Sequence, residues 1–285
     1  MLQLIRRILR IHWPRWAARI PGVLGGRPVA RGVTVSLTTH GARVRTVHAA
    51  IFSVLRGDVV PEALVLVLNE VPTDPVAVST LDRLKKFGLE VLISPNYGPH
   101  TKYYPVVDDE KRTLHNLVTA DDDIFYPRDW LRRLVETHEA HPTDVICWWA
   151  KEMRMRDGVL QSYHEWPNAA NFEARKSNFA LGVGGVLYPE SMIASLRKAG
   201  TGFKDCCARA DDIWLHATAL RTAHGVRPIV REFTWPILIP DTQNQALNHD
   251  NHRPDGNDRQ MAATYTAADL EVVRRELDIV NPAAR

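Results

Sequence analysis

Residues 63–68 read ALVLVL, an unbroken apolar run. A strand with one face in water alternates apolar and polar side chains, so a run like this belongs to a strand covered on both faces. Its neighbours fit the same plan. Val33–Thr39 (VTVSLTT) alternates β-branched residues after Gly32, and Leu89–Ile93 is a third short apolar segment. Between them, Val47–Leu55 and Val76–Phe87 have helical spacing, the second with Leu81, Leu84 and Phe87 near one face and Gly88 as its stop. Strand, helix, strand, helix, strand predicts a mostly parallel α/β sheet flanked by crossover helices, a Rossmann-like architecture. Ligands of such sheets sit beyond the carboxyl ends of the strands. Thr38, Thr39, Arg43, Asn69 and Glu70 fall at those ends. The chain has no G-x-G-x-x-G and no Walker lysine loop, which argues against dinucleotide enzymes and P-loop ATPases.

The length of 285 residues suits one large α/β domain or two small ones. The net charge of +3 is mild, but its distribution is not, because the first 57 residues hold no Asp or Glu. Arg6, Arg7, Arg10, Arg15, Arg19, Arg27 and Arg31 crowd the start. In residues 1–20, Leu2, Ile5, Leu9, Trp13 and Trp16 recur at helical spacing, and Pro14 interrupts them. The apolar runs there are too short and too broken by arginine for a bilayer span or a signal-peptide core. Two readings are open: a peripheral membrane contact, with Arg on lipid phosphate, or a terminal helix docked on the protein's own core. Nothing later in the chain supports nucleic-acid readout. Cys147, Cys206 and Cys207 lack metal-site spacing and read as reduced thiols, and an adjacent-residue disulfide at 206–207 would be strained. The expected location is cytoplasmic, at most peripheral to the inner face of the cell membrane. The expected organisation is a basic N-terminal segment (1–31), an α/β domain (32–260) and a C-terminal helix (261–285).

Leu117–Trp130, LVTADDDIFYPRDW, carries the strongest chemical signal. Asp121, Asp122 and Asp123 sit between apolar Leu117–Val118 and Ile124–Phe125–Tyr126. Adjacent like charges in apolar surroundings are costly unless a cation neutralises them. In extended backbone Asp121 and Asp123 share a face while Asp122 points away, giving a hard oxygen pair suited to Mg²⁺ or Mn²⁺. A solvated acidic turn is the plainer alternative. Upstream, Ser94–Pro105 (SPNYGPHTKYYP) reads as a loop whose one permanent cation, Lys102, is either a phosphate ligand or ordinary surface. A helix is predicted over Val106–Leu117 and another over Trp130–Glu139. Val145–Trp149 reads as a strand, and Met153–Gly158 as a hairpin turn.

In the second half, Ser162–Ser177 is irregular and aromatic, with Tyr163, His164, Trp166 and Phe172. It reads either as an acceptor-site lining or as loop packing. Phe179–Pro189 (FALGVGGVLYP) is a strand whose Gly182, Gly184 and Gly185 permit close backbone approach, and a helix follows near Glu190–Lys198. Ala210–Leu220 (ADDIWLHATAL) opens a helix anchored by Ile213 and Trp214. Asp211 and Asp212 in its first turn fit either helix-dipole stabilisation or a general base. Pro240–Gln260 is polar, breaker-rich and holds His249 and His252, a composition typical of a disordered loop or a lid. A closing helix is expected over Ala267–Leu277.

Taken in order, TTHGAR, DDDI, GVGGVLYP, ADDIW and a late histidine resemble the GT-A glycosyltransferases, most of all bacterial enzymes that build surface polysaccharide. The resemblance covers about residues 32–255. It implies a nucleotide-sugar donor, with a UDP-sugar favoured, and a glycan or lipid-linked acceptor. It implies that Asp121 and Asp123 hold Mn²⁺ or Mg²⁺ on the diphosphate, with His249 or His252 as a further ligand. Thr38, Thr39, Arg43, Asn69, Lys102, Asp122, Gly184 and Gly185 would border the nucleotide sugar. Asp212 would match the catalytic carboxylate, with Asp211 where a glutamate is more usual. A nucleotidyltransferase or other phosphoryl-transfer enzyme on sugar phosphates is the alternative, since aspartate pairs on α/β sheets serve that chemistry too.

Overall fold

The computed structural model describes residues 26–231, 237–240, 242 and 256–280. His249, His252 and the arginine-rich segment 1–20 lie outside the described residues.

The chain adopts the expected α/β architecture. Its strands are β1 (Val29–Thr38), β2 (Val60–Leu68), β3 (Leu89–Ile93), β4 (Asn116–Ala120), β5 (Ile124–Phe125), β6 (Val145–Glu152), β7 (Met155–Arg156), β8 (Val159–Leu160), β9 (Asn178–Tyr188), β10 (Val226–Pro228) and β11 (Ile237–Leu238). The main sheet has the order β10-β6-β9-β4-β1-β2-β3. β1 pairs in parallel with both β2 and β4, with Leu37 opposite Leu66 on one side and Ala120 on the other. β9 alone runs antiparallel, between β4 and β6. Leu64–Leu68 are all buried, which is the burial that the ALVLVL run demands.

The helices are α1 (Val47–Leu55), α2 (Pro75–Lys85), α3 (Tyr104–Asp108), α4 (Trp130–Ala140), α5 (Glu190–Ala199), α6 (Asp211–Arg221), α7 (Gly256–Thr264) and α8 (Ala267–Val280). Asp74 caps α2, its carboxylate accepting from the Ala77 N–H at 2.9 Å, and Pro75 supplies the first turn. α7 and α8 pack on α6. Arg221 there grips Asp269 at 2.8 Å, and Glu276 accepts the N–H groups of Lys176 and Ser177 at the start of β9. Among the described residues no helix is long and apolar enough to cross a membrane.

Three local expectations are corrected. The helix predicted over 106–117 is instead a 3₁₀ turn at Gly98–Lys102, the short α3 ending at Asp108, and then β4 from Asn116. Sheet pairing overrides local helical preference here, because Leu117–Ala120 complete the ladder on β1. The three aspartates are not extended: Asp122 and Asp123 form a turn after β4. The Asp121 N–H donates to the Tyr126 hydroxyl at 2.7 Å, closing the loop, and β5 pairs antiparallel with β11. Asp122 therefore points inward and is buried, rather than away from its neighbours. Last, the polar stretch ending at Gln260 is helical from Gly256 onward.

The glycine strand has a specific deformation. Between its Cys147–Val186 and Trp149–Leu181 pairings, β6 advances two residues while β9 spans five, so β9 bulges over 182–185. Gly185 takes φ +88°, and a Cβ there would meet the Trp130 ring at 2.5 Å. The Trp130 indole N–H donates to the Gly184 carbonyl at 2.8 Å. Close approach is thus needed, and what approaches Gly184 and Gly185 is tryptophan.

Candidate active site

Two acidic clusters, about ninety residues apart in sequence, meet at one rim of the sheet. The first follows β4, whose carboxyl end lies beside that of β1. There the 3₁₀ turn Gly41–Arg45 carries the buried Arg43, which pairs with Asp122 and stands 3.0 Å from Asp123 Oδ2. The second cluster opens α6. Lys102 joins them, with Nζ 3.0 Å from Asp121 Oδ1 and 3.2 Å from Asp211 Oδ2.

Lys102 is not surface. Its residue is 8% exposed, and its carbonyl accepts from the buried Ser36 hydroxyl of β1 at 2.6 Å. The loop around it is an aromatic plug. His100 stacks on Phe203 at 3.9 Å between ring centres, and its Nε2 lies 2.8 Å from the carbonyl of Cys207, four residues before Asp211. The segment carrying Lys102 and the one leading to Asp211 are therefore fixed to each other through His100. Cys206 and Cys207 are free thiols with sulfurs 3.7 Å apart.

The electrostatics follow from crowding. Burial would lower the Lys102 pKa, but Asp121, Asp211 and Asp212 outweigh it and hold the ammonium well above its ordinary range. Burial raises Asp122 despite the Arg43 charge beside it. Burial first, and the Asp211 charge second, push Asp212 up to about 7, against the opposing pull of Lys102 and the Gly182 N–H. Asp212 stays partly accessible, and its Oδ2 accepts from the Gly182 N–H at 3.2 Å. A carboxylate with that pKa at a strand rim is a suitable proton acceptor near neutral pH.

The other expected residues are placed as follows. Thr38 turns its hydroxyl to the Val67 carbonyl at 2.9 Å. Thr39 is buried, and its hydroxyl, Arg43 Nε and Asp122 Oδ2 are buried atoms without a well-formed hydrogen bond. Asn69 follows β2 at the same edge and is partly exposed. Gly184 and Gly185 support the rim by receiving Trp130. The aromatic segment 162–177 is loop packing in large part, since Trp166 is buried edge-on against Phe179 and Tyr163. Among the described residues no group of three His, Cys, Asp or Glu side chains is arranged to hold a metal ion.

Gly182, Ser36 and Tyr126 contribute without having been singled out for these roles. For Gly182 the reason is steric: a Cβ there would lie 2.7 Å from Asp212 Oδ1. Gly182→Ala is therefore expected to displace the Asp212 carboxylate while leaving the fold intact, because the atom that must yield is a side-chain terminus. Steady-state turnover should fall at least tenfold with a nearly unchanged melting temperature; equal losses in both would assign Gly182 to packing alone.

No family model matches the chain, and no curated protein matches it. Among solved structures it is similar to the 1–349 fragment of S. aureus TarS, at 14% identity and TM-score 0.46, over 72% of this chain and 59% of that one. This chain thus spans a little under three fifths of that fragment. It is also similar to the mannosyltransferase PcManGT from Pyrobaculum calidifontis in complex with GDP-Man and Mn²⁺, at 16% identity and TM-score 0.48, covering 94% and 82% of the two chains. A third is 4-diphosphocytidyl-2C-methyl-D-erythritol synthase from Anaerococcus prevotii DSM 20548, at 10% identity and TM-score 0.49, covering 78% and 95%. The chemistry of the rim has to be read from its own side chains.

Proposed function

We propose that this chain is a metal-dependent GT-A-type glycosyltransferase, moving a sugar from a nucleotide-sugar donor, a UDP-sugar by preference, to a hydroxyl of a glycan or glycolipid acceptor. The observation that carries this reading is the Asp121–Lys102–Asp211 bridge, which joins two acidic clusters, one of them next to a carboxylate with raised pKa.

A divalent cation suits the donor set. Asp121 and Asp123 offer hard oxygens, and Mg²⁺-type sites use one or two carboxylates plus substrate phosphates rather than an all-protein cage. Beside them Arg43 Nε is a buried donor without a well-formed hydrogen bond, which a diphosphate oxygen would satisfy. Asp121 and Asp123 would hold Mn²⁺ or Mg²⁺, which when bound supplies the charge neutralisation that makes a nucleoside diphosphate a good leaving group. His249 or His252 remains a proposed further ligand.

The chain's own residues supply the rest. Thr38, Thr39 and Asn69 edge the nucleotide, with Arg43 and Lys102 as the cations facing phosphate. Gly182 fixes Asp212 through Oδ2, so Oδ1 takes the proton of the acceptor hydroxyl as its oxygen attacks the anomeric carbon, inverting that centre. Asp211 anchors Lys102 and raises the basicity of Asp212. A peripheral contact between residues 1–20 and anionic lipid remains part of the proposal.

The nucleotidyltransferase alternative needs an early glycine-rich basic loop for a triphosphate, and GARVR offers one glycine and two arginines. Calorimetric titration with UDP is the direct test. Binding in the presence of Mn²⁺ and its loss in EDTA are expected; UDP binding indifferent to metal would remove the cation from the mechanism, and no binding at all would remove the transferase.

A further inference from the structure

Beside the acidic rim, lined in part by the β9 bulge, lies an open cavity of about 270 Å³. Trp130, Trp148, Trp149, Phe125, Val183 and Ile237 shape it, with Gly184 in its wall. Several of its polar atoms are already committed. The Tyr126 hydroxyl accepts from the Asp121 N–H, the Trp130 indole N–H donates to Gly184, and the backbones of Ile124–Phe125 and Ile237–Leu238 pair with each other. Arg133 stacks on Trp148, its guanidinium carbon 4.7 Å from the ring centre. A sugar placed here would lose water from its hydroxyls and find few partners in return, which is unfavourable. Apolar matter would not. The volume is nearly twice that of an engineered apolar cavity of about 150 Å³ that holds a benzene molecule.

The cavity and the proposed base share one short piece of chain. Gly182 donates to Asp212, and the next two residues, Val183 and Gly184, line the cavity. Two residues span at most about 7 Å, roughly the width of one sugar ring. Ile237, at the mouth, is 61% exposed, so the cavity is reached from solvent at an apolar lip.

We infer that the acceptor carries an apolar aglycone, an alkyl or aromatic group on the sugar whose hydroxyl faces Asp212, and that this group occupies the tryptophan cavity. The inference rests on the glycosyl-transfer reading above and narrows its acceptor to amphiphilic glycosides.

The three tryptophans give the readout. The full chain is titrated with n-octyl β-D-glucoside, below its micellar concentration, and with methyl β-D-glucoside, following indole emission. The octyl compound should change the emission saturably and bind at least about tenfold more tightly than the methyl one, because each buried methylene strengthens binding severalfold. Val183→Phe, which fills the cavity, should weaken octyl binding by about tenfold or more. Ile237→Asp places a charge on the exposed lip and removes no buried side chain, so it should do the same, with the melting temperature checking that the variant is folded. Equal affinity for the two glucosides, or octyl binding unchanged in both variants, overturns the inference. The Mn²⁺-dependent UDP titration, run on the same sample, separates the two failures: if UDP binds and octyl does not, the aglycone site alone is wrong. If UDP does not bind with Mn²⁺, the transferase reading falls, and the acceptor assignment falls with it.

Discussion

Asp212→Asn is expected to lower kcat by about 10²–10⁴-fold, the range over which positioned general bases act, while Mn²⁺-dependent UDP affinity stays near that of the wild type. The amide keeps the shape of the side chain and can still accept the Gly182 N–H, but it cannot take a proton. Two pH-dependent measurements make this diagnosis specific. In the free wild-type enzyme the base is ionised only above about 7, so kcat/KM should climb about tenfold per pH unit below that point and level off above it. Stability should run the other way. The Asp212 pKa is raised above the ordinary carboxylate value, so the folded state favours the protonated form. The stabilisation is complete below the unfolded pKa of about 4, and is lost as pH rises through the folded pKa of about 7. The Asn variant has no such charge to bury. Thermal unfolding across pH 4–9 should show it matching the wild type at the acidic end and exceeding it at the alkaline end. A residue that gains stability on losing its charge while activity collapses is one kept for chemistry. Near-full transfer by Asp212→Asn, in a background where Asp121→Ala abolishes it, would move the base elsewhere.

What could be read in the sequence, and what could not, divides along physical lines. β2 was legible because a strand covered on both faces has no polar positions to confuse the pattern. α1, α2 and α4 were legible because their apolar spacing, with the Gly88 stop behind α2, agrees with their packing, whereas the Asp74 cap and Pro75 start of α2 appear only in the structure. The resemblance to GT-A enzymes assigned the DDD and ADD clusters to one site, and Lys102 bridges them. The failures are all tertiary in origin. Val106–Leu117 has helical composition, yet its last two residues belong to a ladder with β1 that no local pattern announces. The aspartates bend into a turn because a hydroxyl five residues on, that of Tyr126, captures the Asp121 N–H. The burial of Lys102 depends on Ser36, sixty-six residues earlier, and on Asp211, more than a hundred later. Gly182 looked like its neighbours Gly184 and Gly185, but it clears space for a carboxylate while they clear space for an indole. In sequence the three are one motif; only the bulge in β9 tells them apart.

Lys102→Met should cost about 3 kcal/mol of folding stability, seen as a melting temperature lower by roughly 6–12 °C. The ammonium lies between two carboxylates, and the side chains of Lys102, Asp121 and Asp211 are 11%, 24% and 9% exposed. Removing one partner of a buried pair leaves the other charge uncompensated, which costs more than the pair itself contributes. Here the deletion strands two carboxylates at once, although the partial exposure of Asp121 lets water recover some of the loss and holds the figure toward the low end. Methionine keeps the length and apolar stem, so packing against the aromatic plug is largely retained and the effect is electrostatic. A double variant discriminates between these origins. Lys102→Met with Asp211→Asn removes one stranded charge, and it should recover a substantial part of the loss, giving a coupling energy of order 1 kcal/mol or more. Lys102 also restrains the Asp212 pKa, so the activity that survives in Lys102→Met should need a higher pH than the wild type. A melting temperature and a pH profile both unmoved by the substitution would mean that the ammonium does not join the two clusters, and the shared rim on which the transferase reading depends would be gone.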